Sequence, residues 1–154
     1  MKMKEKQFEK KAYRLSLIMY YGVFALVLLC ACVGYTLQTH TQPIEKNTET
    51  IISTISYLYL MASIPFVLWY SNKKVNTLGK IEDDEQRYKE YMRIVKLKIG
   101  LVAVAFVVNI ILFYLLHSYN FLYAAGIAAV ALIFCKPKEE DIAVALSKDD
   151  EEEL

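Results

Sequence analysis

The chain has 154 residues, which is room for one domain, and 56% of them are hydrophobic although 23% are charged. A soluble domain rarely combines these proportions, so the charges must be separated from long apolar segments. The net charge of +1 argues against a nucleic-acid-binding protein. Cys30, Cys32 and Cys135 lack the spacing of metal ligands or of a disulfide framework, so we expect neither a metal nor a cofactor.

Residues 1–14 form a basic arm before the first apolar segment. Phe8, Ala12 and Leu15 follow one another at spacings of four and three, which predicts a helix that continues from the arm into this segment. Residues 15–37 exceed the apolar core of a signal peptide, which is about 7–15 residues long. The sequence therefore predicts a first transmembrane helix at residues 15–37, which we expect to remain in the mature protein.

A polar loop at residues 38–50 separates this helix from a second predicted span at residues 51–70. Pro65 lies near the predicted end of the second span, where a proline removes one backbone hydrogen bond and commonly kinks the helix. The hydroxyls of Ser56 and Ser63 can bond within their own helix or to a neighbouring one. We interpret these serines as packing residues, although a kinked helix with hydroxyls is also typical of a pore or a substrate path.

Residues 71–98 form the largest polar segment, and a helix is predicted within it. Acidic residues, which stabilise the first turn of a helix, begin it: Glu82, Asp83, Asp84 and Glu85. Tyr88, Tyr91 and Met92 then share one face of the helix, which we expect to run on into the third span. This face either packs on the basic arm or the C-terminal tail, or it is a docking surface for a partner.

Residues 99–135 contain no Lys, Arg, Asp or Glu and predict two further spans. The third span covers residues 99–116, a tight outer turn covers residues 117–120, and the fourth span covers residues 119–135, sharing its first residues with the turn. The fourth span reaches the length that a membrane requires only if Tyr119 and Cys135 are counted in it.

Asn109 is the only strongly polar side chain near the middle of the third span. It is either a hydrogen-bonding contact between helices or part of a functional path, because polar groups at this depth are costly. Small residues recur at spacings of three and four in the fourth span, among them Ala124, Ala125, Ala128 and Ala129. This pattern permits close approach of helix backbones, so we expect this span at the centre of the bundle or of a homo-oligomer.

Residues 136–154 form an acidic tail that includes one short predicted helix. It ends in five consecutive acidic residues, Asp149, Asp150, Glu151, Glu152 and Glu153. Such runs are often interaction tails, and the alternative is a solvated end. Together with the face of Tyr88, Tyr91 and Met92, this run is the candidate surface for a partner.

The distribution of basic residues predicts the orientation of the chain. These residues concentrate in the basic arm, in residues 71–98 and at the start of the tail, whereas the two remaining loops contain only Lys46. This asymmetry places both termini in the cytoplasm. The predicted fold is an all-α integral membrane protein, a four-transmembrane-helix bundle with a cytoplasmic helical extension before the third span. We expect it in a bacterial inner membrane.

The sequence shows no activated nucleophile, acid–base pair or metal cluster. It favours a non-catalytic subunit or scaffold of a membrane complex that presents cytoplasmic helices and an acidic tail to another protein. A small oligomeric transporter or channel is the alternative, and a membrane enzyme is a third possibility. A pore requires Asn109, Ser56 and Ser63 around one wet cavity, whereas a scaffold predicts a dry core and an exposed, tyrosine-rich cytoplasmic face.

Overall fold

Five α-helices make up most of the part of the chain that the computed structural model describes, residues 2–38 and 45–147, and this part contains no strand. In chain order the helices are α1 (Lys2–Leu37), α2 (Lys46–Leu78), α3 (Asp84–Leu116), α4 (Tyr119–Phe134) and α5 (Glu139–Leu146). The predicted all-α fold is therefore confirmed.

Helix α1 is a single helix that includes both the basic arm and the first predicted span. The prediction that the arm continues as helix into the apolar segment is confirmed. Ala12 and Ser16 are both fully buried one turn apart, which marks the face of α1 that packs against the rest of the molecule.

Helix α3 lies at the centre, because it packs against each of the other four helices. Helix α1 packs mainly on α3 and α5, whereas α2 packs on α3, α4 and α5. The buried side chains of α3 follow a helical spacing through Ile99, Val102, Phe106 and Ile110. The helices are thus arranged around α3 itself rather than around a shared central space.

The ends of α3 are defined by capping residues. Asp83 is the N-cap, and its Oδ1 accepts a hydrogen bond from the backbone N–H of Glu85 at 3.2 Å. At the other end His117 has a φ of 51°, in the left-handed region that ends helices. Ser118 follows at once as the N-cap of α4. The acidic start and the tight turn of the sequence are both found in the structure.

Three helices, α1 from Lys6 onward, α2 and α3, are long and apolar enough to cross a membrane. Much of their apolar surface faces outward in the described molecule, and Ile18, Leu58 and Met61 are between 60% and 75% exposed. Apolar surface of this extent is typical of proteins that contact lipid or further protein.

Helix α4 is too short to count as a further span by itself. It has 16 residues, so at 1.5 Å per residue it reaches about 24 Å, whereas the hydrocarbon core is about 30 Å thick. The break that contains Pro137 ends it, and α5 then leaves at an angle of 58°. The described residues therefore contain three candidate spans, or four if α4 and α5 are counted as one bent span.

Helix α2 is longer at both ends than the second predicted span. It includes the last residues of the predicted outer loop, and it continues beyond residue 70 as far as Leu78, because residues 71–78 contain neither Gly nor Pro. Pro65 consequently lies well inside α2, and its place near the end of the second membrane span stays a prediction.

The charged ends of the helices meet at one end of the molecule, which we call the head. The head consists of residues 2–14 of α1, residues 71–98 and α5. Helix α5 contacts α1, α2 and α3 there. The short connection between α3 and α4 lies at the opposite end.

Candidate functional site

Arg87 is the largest of the fully buried side chains in the described part of the chain, with 1% of its surface exposed. Its Nε and Nη2 both donate to the carbonyl oxygen of Ile81, at 3.1 Å from Nε. Its Nη1 donates to the carbonyl oxygen of Leu146 at 2.7 Å and to Oδ1 of Asp84 at 3.3 Å. One guanidinium therefore joins the α2–α3 turn, the first turn of α3 and the C-terminal end of α5.

The position of Arg87 is favourable because the last carbonyl groups of a helix have no partner within the helix and carry partial negative charge. No local pattern in the sequence distinguishes Arg87 from its neighbours. It stands among other charged residues of the 71–98 segment, and two of its acceptors are backbone oxygens, which leave no trace in a sequence.

The apolar face of α3 in the head is covered by other helices. The ring of Phe8 lies 5.4 Å from the ring of Tyr88, and Lys11 Nζ lies 5.8 Å from the centre of the same ring. Tyr91 and Met92 are each only 6% exposed. Of the two alternatives that the sequence leaves open for this face, packing on the basic arm or the C-terminal tail fits Tyr91 and Met92, whereas an exposed docking surface does not, because α1 and α5 pack over this side of α3. Tyr88 is half-buried.

A cavity of about 540 Å³, which we call the head cavity, lies between α2, α3 and the α4–α5 connection. Apolar residues such as Val95, Ile99 and Cys135 form part of its wall. Its polar lining comes from these three elements and from the first turn of α5, and it consists of Ser71, Asn72, Asn76, Tyr91, Lys98, Lys136, Lys138 and Asp141.

Every polar residue of this lining except Asp141 carries a hydrogen-bond donor. Within the described residues, none of these donor side chains makes a hydrogen bond or an ion pair. Ser71 and Tyr91 are each 6% exposed, so both are more than nine-tenths buried. The cavity therefore gathers three ammonium groups and several neutral donors that have no acceptor among the described residues.

Tyr91 retains its proton throughout the physiological range. Burial raises the pKa of its hydroxyl to about 12, and the negative charge of Asp141 adds to the rise. Tyr91 lies eight positions before Ile99, where the apolar part of α3 begins. Its hydroxyl is thus available as a donor to a group in the head cavity.

Asn109 is 2% exposed and connects two helices. The hydroxyl of Ser56 in α2 donates to Asn109 Oδ1 at 2.6 Å, and Asn109 Nδ2 donates to the carbonyl oxygen of Ala105 at 2.7 Å. This geometry matches the interpretation of Asn109 as a hydrogen-bonding contact between helices.

Ser63 does not join this contact. Its hydroxyl donates to the carbonyl oxygen of Leu60 in its own helix at 3.5 Å. Pro65 lies nearby in α2 and supplies no backbone donor. The lining of the head cavity includes neither these two serines, Ser56 and Ser63, nor Asn109. The structure therefore brings Ser56 and Asn109 together, whereas Ser63 bonds within its own helix.

The small residues of α4 face the interior. Ala124 and Ala128 are fully buried, Ala125 is 2% exposed, and Ala129 is partly buried against the core. Helix α4 packs most extensively on α3 and also on α2. The small side chains thus lie where the backbone of α4 approaches its neighbours.

A second polar cluster joins α2 to the α3–α4 turn at the end opposite the head. Glu49 Oε1 accepts hydrogen bonds from the Ser118 hydroxyl and from Asn120 Nδ2, the latter at 3.3 Å. The hydroxyl of Tyr57 donates to the carbonyl oxygen of Asn120 at 2.9 Å. The side chains of this cluster are engaged with one another and hold the turn against α2.

The acidic run of the tail, Asp149 to Glu153, lies outside the described residues. Within the described ones, no group of three or more His, Cys, Asp or Glu side chains is placed to hold a metal ion.

No protein-family model matches the chain, and comparisons with curated proteins and with solved structures give no match.

Proposed function

We propose that this protein is an integral membrane, non-catalytic subunit or scaffold whose head lies in the cytoplasm and binds another protein. The observation that carries the proposal is the attachment of α5 by Arg87. A helix of eight residues is marginal in water, so its docking on α1, α2 and α3 requires a specific contact. Docking fixes the position of Ser147, the residue that ends α5, and the acidic run of the tail follows this residue in the sequence.

The arrangement of the helices supports a scaffold that presents a surface to a partner protein over a transporter or channel that conducts a solute. The helices are centred on α3, and the polar contact of Asn109 with Ser56 is closed between two helices. The head, in contrast, is assembled from three separate parts of the chain and keeps many charged side chains exposed. The acidic run Asp149 to Glu153, which follows α5 in the sequence, suits a partner protein with a basic groove that can engage several acidic side chains together.

The proposal includes a fourth membrane crossing. Helix α5 lies in the head beside the N-terminal part of α1, so the chain returns to the side from which α1 starts. Helix α4 covers this return with about 24 Å of helix, and a short span is accommodated by local thinning of the bilayer or by its neighbours. Lys136 and Lys138 follow α4 at once, as basic residues follow a span on the cytoplasmic side.

Chemical crosslinking in native membranes, followed by purification and identification of the attached proteins, tests the proposal. Three forms should be compared with the wild type: Arg87→Met, a deletion of residues 148–154, and Arg93→Met as the control. Arg93 lies on the same helix, but its side chain is 77% exposed and pairs only with Glu90 among the described residues. The first two forms should lose a specific crosslinked protein while they insert normally, and the control should keep it.

Two results would contradict the proposal. If crosslinking is unchanged in the Arg87→Met protein and in the tail deletion, the head does not bind the partner. Solute flux through the purified wild-type protein in proteoliposomes, lost on substitution of Asn109, would favour the transporter alternative.

A further inference from the structure

The head cavity concentrates positive charge from two distant parts of the sequence. Lys98 is half-buried at the start of the apolar part of α3, while Lys136 and Lys138 flank Pro137 in the α4–α5 connection. Three like charges around one cavity repel each other, and Asp141 compensates only one of them. An anion inside the cavity would remove this repulsion.

The deeper donors favour an anion with several acceptor oxygens. Ser71 and Tyr91 are more than nine-tenths buried, and both side chains lack a hydrogen-bond partner in the described residues. Neither hydroxyl oxygen is among the fully enclosed polar atoms without a partner, so both open into the cavity, where they can donate to a bound group. Asn72 and Asn76 add amide donors from the adjoining turns of α2.

The size and the wall of the cavity narrow the choice of ligand. Ligand sites in proteins range from about 300 to 1,000 Å³, and the head cavity is about 540 Å³. A phosphate group has the negative charge and the number of acceptor oxygens that these donors require. The apolar wall, with Val95 and Ile99, lies where the membrane-length part of α3 begins, so a phosphate attached to an apolar molecule also fits.

We propose that the head cavity is a binding site for a phosphate group, held by Lys98, Lys136 and Lys138 at the rim and by the Ser71 and Tyr91 hydroxyls inside. The ligand is either the headgroup of an anionic phospholipid or a soluble phosphate compound. The carboxylate of Asp141 repels a ligand that carries several negatively charged groups. A ligand with a single phosphate group is therefore the best fit. This site does not depend on the scaffold role proposed above.

The test uses the full chain in a neutral detergent, with two probes. One probe is phosphatidylglycerol added in mixed micelles, with phosphatidylcholine as the reference, because the choline cation of the latter is repelled by the lysines. The other probe is inorganic phosphate, with chloride as the reference at equal ionic strength. Lipid retention is measured by native mass spectrometry, and the thermal unfolding midpoint is measured for both probes.

Matched variants separate this site from general surface charge. Lys136→Gln/Lys138→Gln removes two rim charges from exposed side chains, so folding should be preserved, and affinity should fall about tenfold or more, as expected for charge-assisted hydrogen bonds. The control Lys73→Gln/Lys74→Gln also removes two charges, but these lysines lie over the rings of Trp69 and Tyr70, outside the cavity. It should bind as the wild type does.

Tyr91→Phe is a second variant that changes no charge and keeps the ring in place. It should weaken phosphate binding several-fold while leaving the unfolding midpoint without ligand nearly unchanged. Preferential retention of phosphatidylglycerol would support the site with a lipid as its ligand, and stabilisation by inorganic phosphate alone would support it with a soluble ligand. Binding of neither probe above its reference, or equal losses in the rim variant and the control, would overturn the proposal.

Discussion

Arg87 Nη1 and the carbonyl oxygen of Leu146 are 2.7 Å apart, although 59 positions separate the two residues in the sequence. This hydrogen bond attaches the last turn of α5 to the first turns of α3. The same guanidinium holds the Ile81 carbonyl of the α2–α3 turn. One buried side chain therefore joins α3 both to the α2–α3 turn and to α5.

Substitution Arg87→Met should release α5 from the head. It leaves the buried carbonyl group of Leu146 and the partly buried one of Ile81 without the Arg87 donors, and lost hydrogen bonds to a charged group together with unpaired acceptors cost about 3 kcal/mol. Amide hydrogen exchange across α5 should then accelerate strongly, while α4 keeps its protection. Arg93→Met, on the exposed side of the same helix, should leave exchange in α5 as it is. Unchanged protection of α5 in the Arg87 variant would contradict its role.

The sequence reveals the helices of this fold because their signals are local. An acidic start, a continuous apolar run and a tight turn mark the limits of α3, and each signal involves residues within a few positions of one another. The limits of α2 are predicted less accurately, since the segment from Lys73 to Leu78 is polar yet helical. A polar composition predicts exposure to solvent, and it does not by itself end a helix.

The candidate site could be predicted only in part, because it is a product of tertiary structure. Asn109 stands out in the sequence as a polar residue in an apolar run, but its partner Ser56 becomes apparent only when α2 lies against α3. Lys98 and Lys136 look like ordinary basic flanks of spans. Their convergence on one cavity with Tyr91 depends on how α4 returns to the head.

Gly34 in α1 should be intolerant of a side chain. A Cβ at this position would lie 2.6 Å from Cγ of Tyr114, so Gly34→Ala forces α1 and α3 apart or rotates the ring. Overpacking of this kind costs about 1–3 kcal/mol. Gly22→Ala is the matched control, because nothing lies within 4 Å of the place that its methyl group would occupy. Thermal unfolding in detergent should show a loss for Gly34→Ala and none for Gly22→Ala.

Substitution Asn109→Leu should be tolerated. Hydrogen bonds between membrane helices are worth about 0.6 kcal/mol on average, and the Ser56 hydroxyl can turn to a carbonyl of its own helix. A double-mutant cycle with Ser56→Ala and Asn109→Leu should give a coupling energy of about 1 kcal/mol or less in unfolding experiments. A folded Asn109→Leu protein that abolishes a cellular phenotype would instead assign Asn109 to a functional path.

Ser16 should be dispensable for stability. It is fully buried, and its hydroxyl has no hydrogen-bond partner among the described residues. A buried unpaired polar group costs about 1–3 kcal/mol, so Ser16→Ala should leave the unfolding midpoint unchanged or raise it. Ser53→Ala is the comparison, since the Ser53 hydroxyl donates to the Thr50 carbonyl oxygen at 3.0 Å. A clear loss of stability in Ser16→Ala, greater than in Ser53→Ala, would show that Ser16 has an acceptor.

Reporter fusions should place the head in the cytoplasm. The basic arm and the 71–98 segment carry most of the basic residues, and such residues are retained on the cytoplasmic side. A reporter fused after Lys80 should therefore be cytoplasmic, and one fused after Lys46, at the start of α2, should lie on the other side. A reporter fused after Leu154 tests α4. It should lie on the same side of the membrane as the Lys80 reporter only if α4 completes a fourth crossing. If it lies instead on the same side as the Lys46 reporter, the chain crosses the membrane three times, and α5 cannot lie in the head.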